Sequence, residues 1–121
     1  MKPRRGINLV SMKLPNPERA LIDERKLRDY ILSSAHPVGR FKAAFFYSLG
    51  YRRERWEELE RDLREQHLSL DVDRVEETPY GRKYKIEGPL VGPNGKKARV
   101  VSIWIVRRGE DFPRFVTAYP A

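Results

Sequence analysis

The segment RVVSIWIV at residues 99–106, followed after a turn by PRFVTAYP at residues 113–120, decides the fold of this chain. The first segment is rich in β-branched and aromatic residues, is too short to cross a membrane, and ends at the turn residues Gly109, Glu110 and Asp111. We therefore predict that the two segments form the last hairpin of an antiparallel sheet, with the first as a central strand.

Alternation along these strands predicts two different faces. One face is purely apolar and is expected to cover the core. The other face carries hydroxyls and rings and is expected to be a working surface, although strands also favour Thr and Tyr for structural reasons alone. The apolar set is Val101, Ile103 and Ile105, and the second set is Ser102, Trp104, Thr117 and Tyr119.

Helical periodicity predicts three helices ahead of the sheet, at residues 24–33, 39–49 and 52–67. Asp23 is expected to cap the first helix and Gly50 to end the second in a left-handed conformation. Their predicted buried side chains include Phe45, Trp56 and Leu59.

From Asp71 onward the period changes to two, with a short or bulged first strand, a turn at residues 78–81 and a GPNG hairpin turn at residues 92–95. Helices followed by such a meander predict an α+β fold, in which N-terminal helices pack on one face of a four-stranded antiparallel β-sheet.

The length of 121 residues suits one hydrophobic core. We expect residues 1–13 to be a flexible basic leader and residues 14–121 to form a single domain. There is no cysteine, which excludes disulfides and cysteine-based metal sites. No segment has the composition of a membrane span or a secretion signal, so a cytoplasmic location without membrane association is expected.

Positive charge is concentrated in one part of the sequence. The chain has a net charge of +8, and residues 80–108 contain eight basic side chains against one acid, Glu87. Basic charge on neighbouring strands is typical of a phosphate-binding surface, although it also occurs on ordinary soluble basic proteins.

The predicted sheet brings this charge to the second face. If Tyr84 and Ile86 point to the core, Lys83 and Lys85 join the hydroxyls and rings, a mixture that suits single-stranded nucleic acid. The predicted nucleic-acid-binding residues are Lys83, Lys85, Arg99, Ser102, Trp104 and Arg114.

Three sequence blocks resemble a small uncharacterised bacterial and phage domain family: HPVGRFKAAFF with LGY at residues 36–51, TPYGRKY at residues 78–84, and VSIWIV with PRFVTAYP. The resemblance covers residues 14–120. That family is similar to the barnase, EndoU, colicin and RelE-like nuclease toxins, which pack N-terminal helices on a four-stranded antiparallel sheet.

The resemblance implies a metal-independent ribonuclease that needs no cofactor and acts as a toxin beside a small antitoxin or immunity protein. RNA would be its substrate. The catalytic residues implied are His36, Lys42, Thr117 and Tyr119, with histidine as general acid or base because its side chain titrates near neutrality.

Two alternatives remain open. His36 can be a turn histidine that caps a helix end, and His67 is expected to interact with the C-terminus of its own helix. The same basic face can also belong to a non-catalytic nucleic-acid- or protein-binding module. Asp71, Asp73, Glu76 and Glu77 cluster in sequence without a nearby histidine or cysteine, so no metal site is predicted.

Overall fold

A computed structural model of the chain describes residues 12–37 and 39–121. Residues 1–11 of the predicted leader lie outside the described residues. Its last two residues are attached to the fold: the Val72 N–H donates to the Met12 carbonyl at 2.7 Å, and Lys13 Nζ lies 2.7 Å from an Asp71 carboxylate oxygen. The ordered structure therefore already includes Met12 and Lys13.

Three helices precede the sheet, close to the predicted boundaries. Helix α1 begins as Glu24–Lys26 and continues as a π-helical turn, Leu27–Ile31, while α2 is Arg40–Ser48 and α3 is Trp56–Gln66. Single 3₁₀ turns at Pro17–Arg19 and Arg53–Arg55 precede α1 and α3.

The predicted helix boundaries have local causes. The Asp23 carboxylate accepts the Arg25 N–H at 2.9 Å, and the side-chain and backbone hydrogen bonds of Arg25 lower the pKa of Asp23 to about 2. Gly50 ends α2 with a φ of +98°, a conformation that other residues rarely adopt. Both predictions are confirmed.

Four strands form one antiparallel sheet in the order β1-β2-β3-β4. Their bounds are Arg74–Thr78 for β1, Gly81–Val91 for β2, Lys97–Arg107 for β3 and Arg114–Pro120 for β4. The helices supply buried side chains such as Leu27, Phe46 and Leu59 to a core shared with the sheet. The predicted α+β architecture is confirmed.

The prediction of which β3 residues face the core is wrong. Tyr84 lies opposite Trp104, and Ile86 lies opposite Ser102. All four side chains are buried against the helices. Apolar residues occupy both faces of β3, so the strand has no clear period-two signal that would identify its core side.

The opposite side of the sheet is named here the open face. Ile103 and Ile105 lie on it as half-buried side chains, directly across from Lys85 and Lys83 of β2. Val101 is also on this face and is only 2% exposed, with Glu87 and Tyr119 as its cross-strand neighbours.

A β-bulge explains why Trp104 and Thr117, which were predicted to share a face, lie on opposite faces of the sheet. Trp104 pairs with Phe115 and Ile103 pairs with Thr117, which leaves Val116 as an extra residue in β4. Because of this residue, Phe115 turns into the core while Thr117 remains on the open face. Without the bulge, strict alternation would put Phe115 and Thr117 on the same face.

A buried polar chain makes Ser102 and Trp104 part of the core. Trp104 Nε1–H donates to Ser102 Oγ at 2.9 Å, and Ser102 Oγ lies 2.8 Å from His67 Nδ1. His67 Nε2 lies 3.3 Å from the Gly88 carbonyl, so one arrangement of protons satisfies every bond. The prediction that His67 interacts with its helix terminus is therefore wrong, and burial lowers the pKa of this histidine.

The buried faces of the helices also differ in detail from the prediction. Leu59 is fully buried, whereas Phe45 and Trp56 are only half-buried. In α2 the fully buried ring is Phe46, and Phe41 is 70% exposed with the Arg40 guanidinium over its ring. Among the described residues, no helix is long and apolar enough to cross a membrane.

Candidate active site

Lys42 of α2 reaches across to β4 and is held by hydroxyls. Its Nζ donates to Tyr30 Oη and to Thr117 Oγ1, both at 3.0 Å. The same ammonium lies 4.9 Å from the centre of the Tyr30 ring and 5.8 Å from that of Tyr119. No carboxylate in the described part of the chain pairs with Lys42, so its charge is fixed in position without being neutralised.

His36 joins this group through Tyr30. Its ring meets the Tyr30 ring edge to face, with centroids 4.8 Å apart. Direct contacts therefore connect the predicted residues in the order His36, Tyr30, Lys42 and Thr117, and Tyr30 links His36 to Lys42. We name these residues, together with Tyr119, the Lys42 cluster.

The turn before α2 fixes the proton pattern of His36. The Gly39 N–H donates to His36 Nδ1 at 3.0 Å, as expected for a turn histidine that satisfies the start of a helix. With Nδ1 as acceptor, the neutral ring carries its proton on Nε2. The capping bond therefore fixes a neutral ring with Nε2 as a donor, and proton transfer by this histidine requires the bond from Gly39 to open.

Tyr30 was not predicted as a site residue. Its spacing from Leu27 and Ile31 is typical of a buried helix face, and those two neighbours are indeed fully buried. The turn is π-helical, with the Leu32 N–H bonded to the Leu27 carbonyl at 2.8 Å. Such π-turns occur frequently at functional sites, and nothing in the residue pattern distinguishes one from an ordinary turn.

Beside Thr117, the open face contains a cavity of about 370 Å³, named here the sheet pocket. Its apolar floor includes Ile103, and the Tyr119 ring forms one wall. Three cations and one carboxylate also line it: Arg74, Lys83, Lys85 and Glu76. None of these four groups forms an ion pair within the described residues.

The other predicted nucleic-acid-binding residues lie elsewhere. Arg99 does not line the sheet pocket and lies 3.4 Å from a Glu87 carboxylate oxygen. Arg114 forms two hydrogen bonds with Glu110, at 2.8 and 3.0 Å, and these lower the pKa of Glu110. Ser102 and Trp104 are fully buried and cannot contact a ligand on the surface, so their assignment is corrected.

The described residues contain no group of three or more His, Asp or Glu side chains that could hold a metal ion. The chemistry that they do bring together is a fixed ammonium, hydroxyl groups, a histidine and a cationic cavity. This combination is suited to binding and polarising an anionic group such as a phosphodiester.

One solved structure with a similar fold is a chain of the contact-dependent growth inhibition toxin - immunity protein complex from Klebsiella pneumoniae 342. It has a TM-score of 0.57 and 19% sequence identity, and the match covers 84% of this chain and 99% of that chain. No curated protein matches the sequence. The model of the family described as a domain of unknown function (DUF6883) matches residues 13–121, and the chain therefore belongs to that family.

Proposed function

We propose that this domain is a metal-independent endoribonuclease and the toxic member of a toxin–antitoxin or toxin–immunity pair. The observation that carries the proposal is the Lys42 ammonium, held 3.0 Å from two hydroxyls at the edge of a cationic cavity. A fixed but uncompensated charge of this kind binds a phosphate more tightly as negative charge develops on its oxygens.

The reaction is transfer of the phosphodiester to the neighbouring 2′-hydroxyl. The O2′–P bond forms, the P–O5′ bond breaks, the 2′-hydroxyl proton goes to a base, and O5′ takes a proton from an acid. Lys42 and Thr117 hold the phosphate oxygens, while Tyr119 offers a ring against which a base can stack.

His36 and Glu76 take the proton-transfer roles. His36 is the acid: as imidazolium it gives its Nε2 proton to O5′ and returns to the neutral ring, and this requires Nδ1 to release the Gly39 N–H and take up a second proton before the reaction. Glu76 is the base, because it is the carboxylate that lines the sheet pocket and no cation within the described residues pairs with it. Its neighbour Glu77 lies 2.5 Å from Arg82 and is the matched control.

The toxin role is supported by the fold that this chain shares with a chain of a toxin–immunity complex. In this proposal the domain acts on RNA in the cytoplasm, and its partner blocks the site until then. The cations of the sheet pocket favour an acidic partner, whose carboxylates would occupy the places of the substrate phosphates.

The basic open face also suits a non-catalytic nucleic-acid- or protein-binding module, because Lys83 and Lys85 are available for phosphate contacts whether or not the chain cleaves RNA. Cleavage decides between the two functions. Binding of RNA without any cleavage would support the function of a binding module and reject that of a ribonuclease.

The test is incubation of purified protein with single-stranded RNA in EDTA, with the products analysed for 2′,3′-cyclic phosphate ends. We expect cleavage by the wild type and a loss of about 10²–10⁴-fold in rate for His36→Ala. Glu76→Gln should lose activity and Glu77→Gln should keep it. Full activity in His36→Ala or in Glu76→Gln, with folding verified by circular dichroism, would remove that residue from the mechanism.

A further inference from the structure

A second cavity adjoins the sheet pocket across the β-bulge. It has a volume of about 360 Å³ and shares Val116 with the first cavity. We name it the edge pocket, because Leu21, which also lines it, pairs with Arg114 along the outer edge of β4. The two cavities therefore meet at Val116, and the edge pocket extends from Ile105 on the open face round the edge of β4 to Lys26 of α1 and Arg64 of α3.

The two floors are continuous. Ile103 lines the sheet pocket and Ile105 lines the edge pocket, and these residues are successive members of the open face on β3. Residues two apart in a strand are about 6.7 Å apart along it. Val116 lines both cavities, and the bulge leaves it without a partner in β3.

The edge pocket also offers cations without carboxylate partners. Lys26 Nζ lies 3.5 Å from the Val116 carbonyl, and neither Lys26 nor Arg107 forms an ion pair within the described residues. Each does feel one carboxylate at longer range, Lys26 that of Asp23 and Arg107 that of Glu110. The other two cations of the lining are already engaged, Arg64 with Glu60 and Arg114 with Glu110. Two of the four positive charges are thus outside any ion pair and can approach the phosphates of a ligand.

The carboxylate of the lining does not oppose this assignment. Asp23 receives hydrogen bonds from both the backbone and the guanidinium of Arg25, the closest at 2.8 Å. Its charge is therefore offset locally. The available groups of the edge pocket are cationic or apolar, and the exposed apolar side chain is Leu21 at 47% exposure.

We propose that the edge pocket is a second phosphate subsite, so that a single-stranded RNA lies across the open face from the sheet pocket over Val116 into the edge pocket. This inference rests on the proposed function and deepens it, because it defines the substrate as an unpaired strand longer than a dinucleotide. An unpaired strand can place a base or ribose in each cavity while its phosphates meet the cations around them. A duplex keeps its bases stacked inside and presents only its backbone.

The test measures binding of 2′-O-methyl oligoribonucleotides, which lack the nucleophilic hydroxyl and cannot be cleaved. The variant is the double substitution Lys26→Gln and Arg107→Gln. The matched control is Lys96→Gln with Lys97→Gln, which removes the same charge from the exposed turn before β3 and the first residue of that strand, neither of which lines either cavity. Affinity is measured by fluorescence anisotropy at several salt concentrations, for an eight-residue strand, a dinucleotide and an eight-base-pair duplex.

We expect the edge-pocket variant to lower the salt dependence of binding to the eight-residue strand by a slope of about 1.4, since each phosphate contact to a single strand contributes about 0.7. Its affinity for the dinucleotide should not change, and the control should keep the wild-type slope. Equal slopes for the edge-pocket variant and the control, or equal affinity of the wild type for the single strand and the duplex, would overturn the proposal.

This experiment separates the subsite from the catalytic function. A reduced slope in the edge-pocket variant of a protein that never cleaves RNA would support the strand path and reject the nuclease. Cleavage that depends on His36 but not on strand length or on Lys26 and Arg107 would support the nuclease and reject the strand path.

Discussion

Two groups of side chains in this molecule contain the same chemical types. They differ in whether every polar atom has a hydrogen-bond partner and every charge a partner of opposite sign. One joins His67, Ser102 and Trp104 inside the core. The other is the Lys42 cluster, which joins a histidine, hydroxyls and aromatic rings at the edge of β4. The first group is fully buried and every polar atom that it presents has a partner, whereas the second is half-buried and includes a charge that no carboxylate compensates.

The comparison teaches that residue types alone do not identify a site. Histidine beside a hydroxyl and a ring stabilises a fold when the chain of donors and acceptors is closed, as from Trp104 to the Gly88 carbonyl. The same types are available for binding when the arrangement leaves a cation whose charge is unpaired. Variants of the two groups should therefore affect different measurements.

The largest expected effect concerns Lys42. Replacement by methionine keeps the aliphatic stem and removes the charge, so the rate of RNA cleavage should fall by about 10²–10³-fold. The melting temperature should stay within the range of the wild type, because exposed or half-buried cations contribute little to stability. Lys96→Met serves as the control in the same assay. A large fall in melting temperature would show that Lys42 is a structural residue like His67.

His67→Ala should produce the opposite result. The substitution opens a cavity, leaves the Ser102 hydroxyl proton without its acceptor and removes the His67 donor from the Gly88 carbonyl, so the free energy of unfolding should fall by about 2–4 kcal/mol. Urea denaturation measures this loss. The activity per folded molecule should be unchanged at low temperature, and a selective loss of activity with full stability would break the distinction between the two groups.

Tyr30→Phe sharpens the comparison inside the Lys42 cluster. It removes one of the two hydroxyls that hold the ammonium and keeps the ring contacts with His36 and Lys42. Loss of one hydrogen bond is worth about 1 kcal/mol, so the cleavage rate should fall roughly fivefold. Tyr80→Phe, at a tyrosine that is 77% exposed, is the control. Equal cleavage rates for Tyr30→Phe and Tyr80→Phe would show that the Tyr30 hydroxyl does not position the Lys42 ammonium for cleavage.

The smallest effect is a pH dependence of stability. Burial lowers the pKa of His67 below its ordinary value of 6.5, so the unfolded chain binds a proton more readily than the folded one. The stabilising contribution is complete above about pH 6.5 and decreases as the pH falls through the folded-state pKa. Urea titrations from pH 8 to pH 5 should show this decline in the wild type and not in His67→Leu.

The sequence was sufficient to predict the order of elements, because each helix boundary has its own local cause. Asp23 and Gly50 act through groups within two or three residues, and the hairpin turns act in the same way. The positions of the two faces of β3 could not be predicted in this manner. They depend on whether Ser102 finds partners in the core, and one of its two partners, His67 at the end of α3, lies 35 residues away in the sequence.

The candidate site was predictable only in part. The resemblance grouped His36, Lys42, Thr117 and Tyr119, and the structure brings them together in one cluster of contacts. Tyr30 was missed because the phase of a π-turn follows from hydrogen bonding and not from the residue pattern. Its place between His36 and Lys42 follows from the tertiary fold and not from its spacing in the sequence.

Val116 has a consequence for how this strand can change in length. Phe115 and Thr117 already occupy opposite faces of the sheet. A chain that lacks Val116 would therefore continue β4 without the bulge, and all remaining side chains of the strand would keep their present faces. The deletion should therefore be tolerated by the sheet while it merges the two neighbouring cavities into one trough. Val116 is in this sense an insertion that the sheet does not need, and its presence shapes the surface of the two cavities.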